Sequence, residues 1–268
     1  MRFIITFLLA FNFLFSLELQ KPMIYQDYKK EYDFWLMSEK LDGIRAYWNG
    51  KELLSKNQNK IYVPSWFTKD FPPFSLDGEL WTKRDDFENI QSIVLSQKED
   101  KGWGNITYNI FEVPNQSGDF YERLAFLELY LKNNPNNYLK IIPQNLIKNS
   151  KNLNDFLNKI IQKKGEGVII KNPKLNYFTG RDSNILKVKK FFDDEAEVIA
   201  LNLREDGTLK SLRVKLKNGI IFNLGGGFTN KERLNPPKVG DIVTFKYYRF
   251  TKNNKPKFAS FLRIREEE

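Results

Sequence analysis

The chain has 268 residues, enough for one large domain or two ordinary ones, with 41% hydrophobic residues to fill a core and a formal net charge of +10. It contains neither Cys nor His, which excludes disulfides, thiol nucleophiles, Cys or His zinc sites and every triad built on imidazole. What remains is chemistry by Lys, Arg, carboxylates and hydroxyls, with or without an oxygen-ligated cation. Phosphoryl and nucleotidyl transfer depend on positioning and charge neutralisation by such groups, and a basic chain with 15% aromatics suits polyanions.

Arg2 precedes an almost unbroken apolar run from Phe3 to Phe15, which gives residues 1–19 the form of a secretory signal. The run is short for a membrane span; an uncleaved anchor and a buried helix are the alternatives. Phe34 to Met37 reads as a buried strand leading into Ser38-Glu39-Lys40-Leu41-Asp42-Gly43-Ile44-Arg45, and Ile44 to Trp48 as the next strand. In this segment Lys40 is a possible covalent nucleophile, with a carboxylate, Asp42, two residues on. Gly43 permits a tight turn beside a phosphate, and Arg45 can fork onto phosphate oxygens. Taken alone, the segment also reads as a hairpin with a solvated Lys40–Asp42 pair. Asn49-Gly50 is a hairpin turn, followed by a short strand to Ser55 and a basic loop from Lys56.

Leu76 to Trp81 is a strand that could present Glu79 to a sugar hydroxyl, or an ordinary hairpin arm. Asp85 and Asp86 offer an N-cap to a helix with Phe87, Ile90, Ile93, Val94 and Gln97 on one face. Tyr108 to Val113 is a strand. Two further amphipathic helices follow, through Phe120, Leu124, Leu127 and Leu131, then Leu153, Phe156, Leu157, Ile160 and Ile161. Gly165-Glu166-Gly167 ends the last helix and puts Glu166 at the mouth of the strand Val168 to Lys171. From Ile185 to Lys189 the alternation places Lys187 and Lys189 on one face, where an anion would relieve their repulsion; a solvated edge strand is the alternative. Phe191 to Glu195 reads as a domain boundary. Beyond it, five short strands separated by turns suggest a small barrel of the OB type, and Gly225-Gly226-Gly227 reads as a close-approach loop.

Taken in order, Lys40-Leu41-Asp42-Gly43-Ile44-Arg45, Leu76-Asp77-Gly78-Glu79, Phe111-Glu112, Glu166-Gly167-Val168-Ile169-Ile170-Lys171 and Leu186-Lys187-Val188-Lys189 resemble the covalent nucleotidyltransferases, most closely the ATP-dependent DNA ligases. Glu232-Arg233, Pro236-Pro237, Lys255-Pro256-Lys257-Phe258 and Phe261-Leu262-Arg263-Ile264-Arg265 look like the minimal, exported bacterial ligases of the E type. The resemblance implies an α+β architecture: a signal peptide over 1–19, a nucleotidyltransferase domain of ATP-grasp-like antiparallel sheets with helices over 20–191, and an OB-fold barrel over 192–268.

The resemblance also implies roles. Lys40 would form a lysyl-AMP with ATP, within a site that includes Glu39 and Asp42. Glu79 would hold the ribose, Phe111 would stack on adenine, and Glu166 would work with Mg²⁺. Lys187 and Lys189 would neutralise the α-phosphate, and Arg45 would contact phosphate at a nick. The partner would be nicked duplex DNA, the compartment periplasmic or extracellular, and the protein a monomer. Three departures stand out: Lys56 where the family tends to carry Arg, Glu112 where it tends to carry Asp, and Lys257 and Ala259 where it tends to carry Arg and Pro. The rival readings are an RNA ligase or a GTP-dependent capping guanylyltransferase, which share the nucleotide segments, and a non-catalytic secreted OB-fold protein that binds nucleic acid.

Overall fold

The computed structural model describes residues 18–25, 32–96, 101–251 and 253–265. The apolar leader over residues 3–15 lies outside them, as does Gln97. Among the described residues no helix is long and apolar enough to cross a membrane. The chain divides into two compact units between Val188 and Lys189.

The first unit runs β1 (Gln20–Ile24), β2 (Leu36–Lys40), β3 (Ile44–Trp48), β4 (Leu53–Ser55), α1 (Ser65–Thr68), β5 (Leu76–Trp81), α2 (Phe87–Val94), a 3₁₀ turn (Lys101–Asn105), β6 (Thr107–Glu112), α3 (Phe120–Asn133), β7 (Leu139–Ile141), β8 (Asn145–Leu146), α4 (Ser150–Gln162), β9 (Gly167–Lys171) and β10 (Gly180–Val188). Its strands form two five-stranded sheets, ordered β1-β10-β9-β2-β8 and β4-β3-β5-β6-β7. Among the described residues of this unit, only the pairs β1–β10 and β6–β7 are parallel.

Each sheet has its own core. Leu153, Leu157 and Ile160 of α4 pack with Val168 and Ile170 of β9 and Met37 of β2. Trp48, Leu53, Phe67, Ile90, Trp103 and Tyr108 fill the core of the other sheet. The helices start where local chemistry satisfies their free amides. Asp119 and Glu122 form a reciprocal capping box on α3, and Asn149 accepts from the Asn152 amide at α4. At α2 the expected cap is absent: Asp86 holds the N-cap position, but its carboxylate accepts from Thr82 Oγ1 at 2.6 Å and Asn89 Nδ2 at 3.0 Å. Phe34 departs from the expected buried strand. It precedes β2 with φ of +67° and is 75% exposed.

The second unit comprises β11 (Phe192–Leu203), β12 (Leu209–Leu216), β13 (Ile221–Leu224), α5 (Asn230–Leu234), β14 (Ile242–Tyr247), β15 (Arg249–Phe250), β16 (Pro256–Lys257) and β17 (Ser260–Ile264). Of the segment read as a boundary, Phe191 to Glu195, all but Phe191 belongs to the start of the long strand β11 and pairs with β14. Alternation along β12 buries Leu212, Val214 and Leu216 and exposes Arg213 and Lys215.

The expected barrel is not closed by a ladder. The sheet β13-β12-β11-β14-β17 is open, and a single bridge, Gly226 to Ser260, spans its edges. The reason lies in the glycine run: after Leu224 the chain turns into Gly225–Gly227 and α5 instead of continuing β13. Gly227, at φ +90°, lies so near the Phe261 backbone that no Cβ would fit.

Candidate active site

Lys40 ends β2, and its ladder partner on β9 is Gly167. That register builds the centre of the site. At the end of α4, Lys164 (φ +61°) and Gly165 turn the chain back, so that Glu166 enters β9 beside Lys40. A side chain on Gly165 would press on Ile160 and Glu39. Lys40 Nζ donates to Glu166 Oε2 at 2.5 Å, with the two side chains 26% and 10% exposed.

The other sheet approaches through the loop after Lys40. Gly43 lies against the Leu80 carbonyl, where a Cβ would collide, and its amide donates to Glu79 Oε1 at 3.1 Å. Burial pushes the Glu79 carboxyl up from 4.5 to about 7; Lys40, the Gly43 amide and Arg45 pull against that rise, and Glu166 adds to it. A neutral carboxyl there can donate as well as accept, which suits a sugar hydroxyl.

Both sheets line a cavity of about 760 Å³ whose wall includes Lys40, Lys56, Glu79, Phe111, Ile169 and Lys187. Glu39 and Arg45 also touch it, but each is already engaged. Arg84 Nε and Nη2 grip Glu39 at 2.7 and 2.6 Å. Arg45 forks onto buried Asp77 through Nε at 3.0 Å and Nη2 at 2.5 Å, donates from Nη1 to the Gln20 carbonyl at 2.7 Å, and lies 5.3 Å from the Phe111 ring centroid. The fork expected to meet phosphate is thus turned onto a carboxylate, and the arginine backs the aromatic wall.

Asp42 sits in the bend between β2 and β3, off the cavity wall. β10 ends at Val188, so Lys189 follows directly after the strand that carries Lys187; its Nζ is 5.4 Å from the Tyr248 ring and 5.5 Å from Phe258.

Sequence reasoning missed the charges behind the wall. Glu112, which is fully buried, accepts from Arg123 Nε at 2.7 Å, Arg123 Nη2 at 3.0 Å and Lys171 Nζ at 2.8 Å. Burial alone would raise its carboxyl, but Lys171 and Arg123 outweigh burial and hold it below its ordinary value. Lys171 also lies 3.9 Å from the centroid of Phe120, another wall residue. The weak available signal was the pair of cations, Arg123 on a helix face and Lys171 at a strand end, in otherwise apolar settings. Among the described residues no group of three carboxylates could hold a metal by itself.

A lysine set against a carboxylate in a two-sheet cavity, with an OB-like unit following, defines a nucleotidyltransferase of the ligase type. Residues 22–189 match the model of the ATP dependent DNA ligase domain, and residues 202–265 that of the DNA ligase OB-like domain. The chain is 39% identical to a DNA ligase of Haemophilus influenzae over 267 residues, 98% of this chain and 99% of that one. It belongs to the ATP-dependent DNA ligases. Within them it is similar to a solved Lig E DNA ligase, at 40% identity and a TM-score of 0.88 over 92% of this chain and 99% of that one. The Chlorella virus DNA ligase-adenylate shares the fold at 23% identity and a TM-score of 0.57, over 94% of this chain and 99% of that one. The family match separates this chain from the guanylyltransferase, RNA ligase and pure binding alternatives.

Proposed function

We propose that this ligase is charged on Lys40 and seals nicks in duplex DNA outside the cytoplasm. The contact of Glu166 with Lys40, itself on the wall of the nucleotide-sized cavity, carries the reading. In its neutral form the Lys40 amine attacks the α-phosphorus of ATP. A P–N bond forms, the bond to the bridging oxygen breaks, pyrophosphate leaves, and the amine gives up a proton. Glu166 is the base within reach of that nitrogen. Glu79 holds the ribose, Phe111 stacks on the base with Arg45 behind it, and Lys187 neutralises phosphate charge. AMP then passes to the 5′-phosphate of a nick, and the 3′-hydroxyl displaces it.

The donor set fits Mg²⁺, which needs few carboxylates when phosphates and water complete its shell. Glu166 would hold it, and the ion would supply charge neutralisation at the phosphates. Lys189, Lys56, Glu39 and Asp42 remain assigned to this chemistry by resemblance. The apolar leader of residues 3–15 supports export to the periplasm or beyond, which a cell-fractionation blot with a shortened periplasmic product would bear out. One nick needs one active site, so we expect a monomer.

The test uses the full chain freed of bound AMP, α-labelled ATP or GTP, and a denaturing gel. Label from ATP that is lost in Lys40→Ala and discharged by nicked duplex is expected. Label from GTP alone, or none from either nucleotide, would overturn the reading.

A further inference from the structure

The far side of the nucleotide cavity is built on the sheet register. On β2, Ser38 lies two residues from Lys40 and pairs with Ile169 of β9, which in turn pairs with Lys187 of β10. Two residues of strand are about 7 Å, roughly the reach from an α-phosphate across a ribose to a base. Ile169 and Ser38 therefore line the cavity at the distance from Lys40 where a base would lie, with Phe111 contributed by the other sheet.

On the opposite side of β2 from β9, β8 pairs Leu146 with Leu36 and Asn145 with Met37. The same antiparallel register brings Gln144, the residue before β8, level with Ser38, about 5 Å across the sheet. Gln144 is half-buried and lines the cavity. Its Nε2 donates to the Ile142 carbonyl at 3.0 Å. A carbonyl can only accept, so the amide end that meets it must be the NH₂, and Oε1 is the atom left to offer the cavity. At this end of the wall the Ser38 hydroxyl and Lys171 are polar as well, and Lys171 is a donor already shared with Glu112.

We propose that Gln144 is a base-specificity residue, whose Oε1 accepts a hydrogen bond from the 6-amino group of adenine. This rests on the nucleotide reading above and adds a determinant to it. A 6-oxo purine in the same pose would set two acceptors against each other with no proton between them, and a purine with hydrogen at position 6 would leave Oε1 without its donor. Sites built to bond a polar substituent reject analogues that lack it more strongly than apolar pockets do.

The experiment measures kcat/KM for Lys40 labelling with ATP and with purine riboside triphosphate, which differs only in lacking the amino group. The expected preference of the wild-type protein for ATP is roughly tenfold or more. Gln144→Ala and Gln144→Leu should bring the two substrates to within about twofold of each other, whereas Gln144→Glu, which retains an acceptor, should keep the preference. The ratio is internal to each variant, so a partly unfolded preparation does not move it. A wild-type ratio near unity, or an unchanged ratio in both Gln144→Ala and Gln144→Leu, would overturn the assignment. Absence of Lys40 labelling by ATP would instead sink the nucleotidyltransfer reading itself, so the two failures are distinct.

Discussion

Glu79 is the residue whose protonation the fold changes most usefully. Its carboxyl is raised from 4.5 to about 7, so the folded chain binds a proton that the unfolded chain releases. The associated stability is complete below about pH 4.5 and is lost as pH rises through about 7. Glu79→Gln cannot ionise and should not show that loss. Thermal melts should show the variant gaining on wild type between pH 5 and 8, by about 2–4 °C for each kcal/mol of linkage, while its KM for ATP rises through the altered ribose contact. A difference in Tm that stays constant over that range would contradict the linkage. That Lys40, Gly43, Glu79 and Lys187 would share a cavity wall, with Glu166 against Lys40, was legible because each sits in a short segment whose order resembles the family's. Arg84 and Lys171 were not, because their partners, Glu39 and Glu112, lie 45 and 59 residues away.

At the scale of elements, the Glu112 cluster ties α3, β6 and β9 together behind the nucleotide wall. Arg123 also donates from Nη1 to the carbonyls of Gly118 at 2.6 Å and Leu175 at 3.1 Å, so one guanidinium joins a helix start, a strand end and a loop. Removing one partner of a buried charge set typically costs about 3–5 kcal/mol, because the remaining charge stays desolvated. Arg123→Leu should therefore lower the unfolding free energy by about that amount in a denaturant titration. A loss below about 1 kcal/mol would mean that Lys171 alone satisfies Glu112. The longer elements were legible from periodicity. The helices through Phe120–Asn133 and Ser150–Gln162 fall where apolar spacing put them. β1, β7, β8 and the β15–β16 ribbon were not read from the sequence.

At the scale of the whole molecule, the net charge of +10 bears on how the protein meets DNA. Neutralising phosphates releases condensed counterions, so binding should weaken as a power of salt concentration. For about six phosphate contacts, affinity for a nicked duplex should fall on the order of a thousandfold between 50 and 200 mM salt. Sedimentation of protein with a nicked duplex across that range should show one protein per nick at low salt. Salt-independent binding, or a two-protein complex on a single nick, would contradict the electrostatic account.

The sequence by itself determined the chemistry that is possible and the order in which its parts occur. Without Cys or His, chemistry by Lys, Arg, carboxylates and hydroxyls was left, and the resemblance of five short segments in family order pointed among these to a lysine nucleophile. It also suggested a two-part division, because helical periodicity gives way to short strands past Phe191–Glu195. Tertiary structure decided which charges meet. Sheet register set Glu166 on Lys40 and Asp77 on Arg45, ended β10 before Lys189, and left the second unit's sheet joined by one bridge. Those outcomes depend on pairings between strands distant in sequence, and local composition does not encode a register between distant strands.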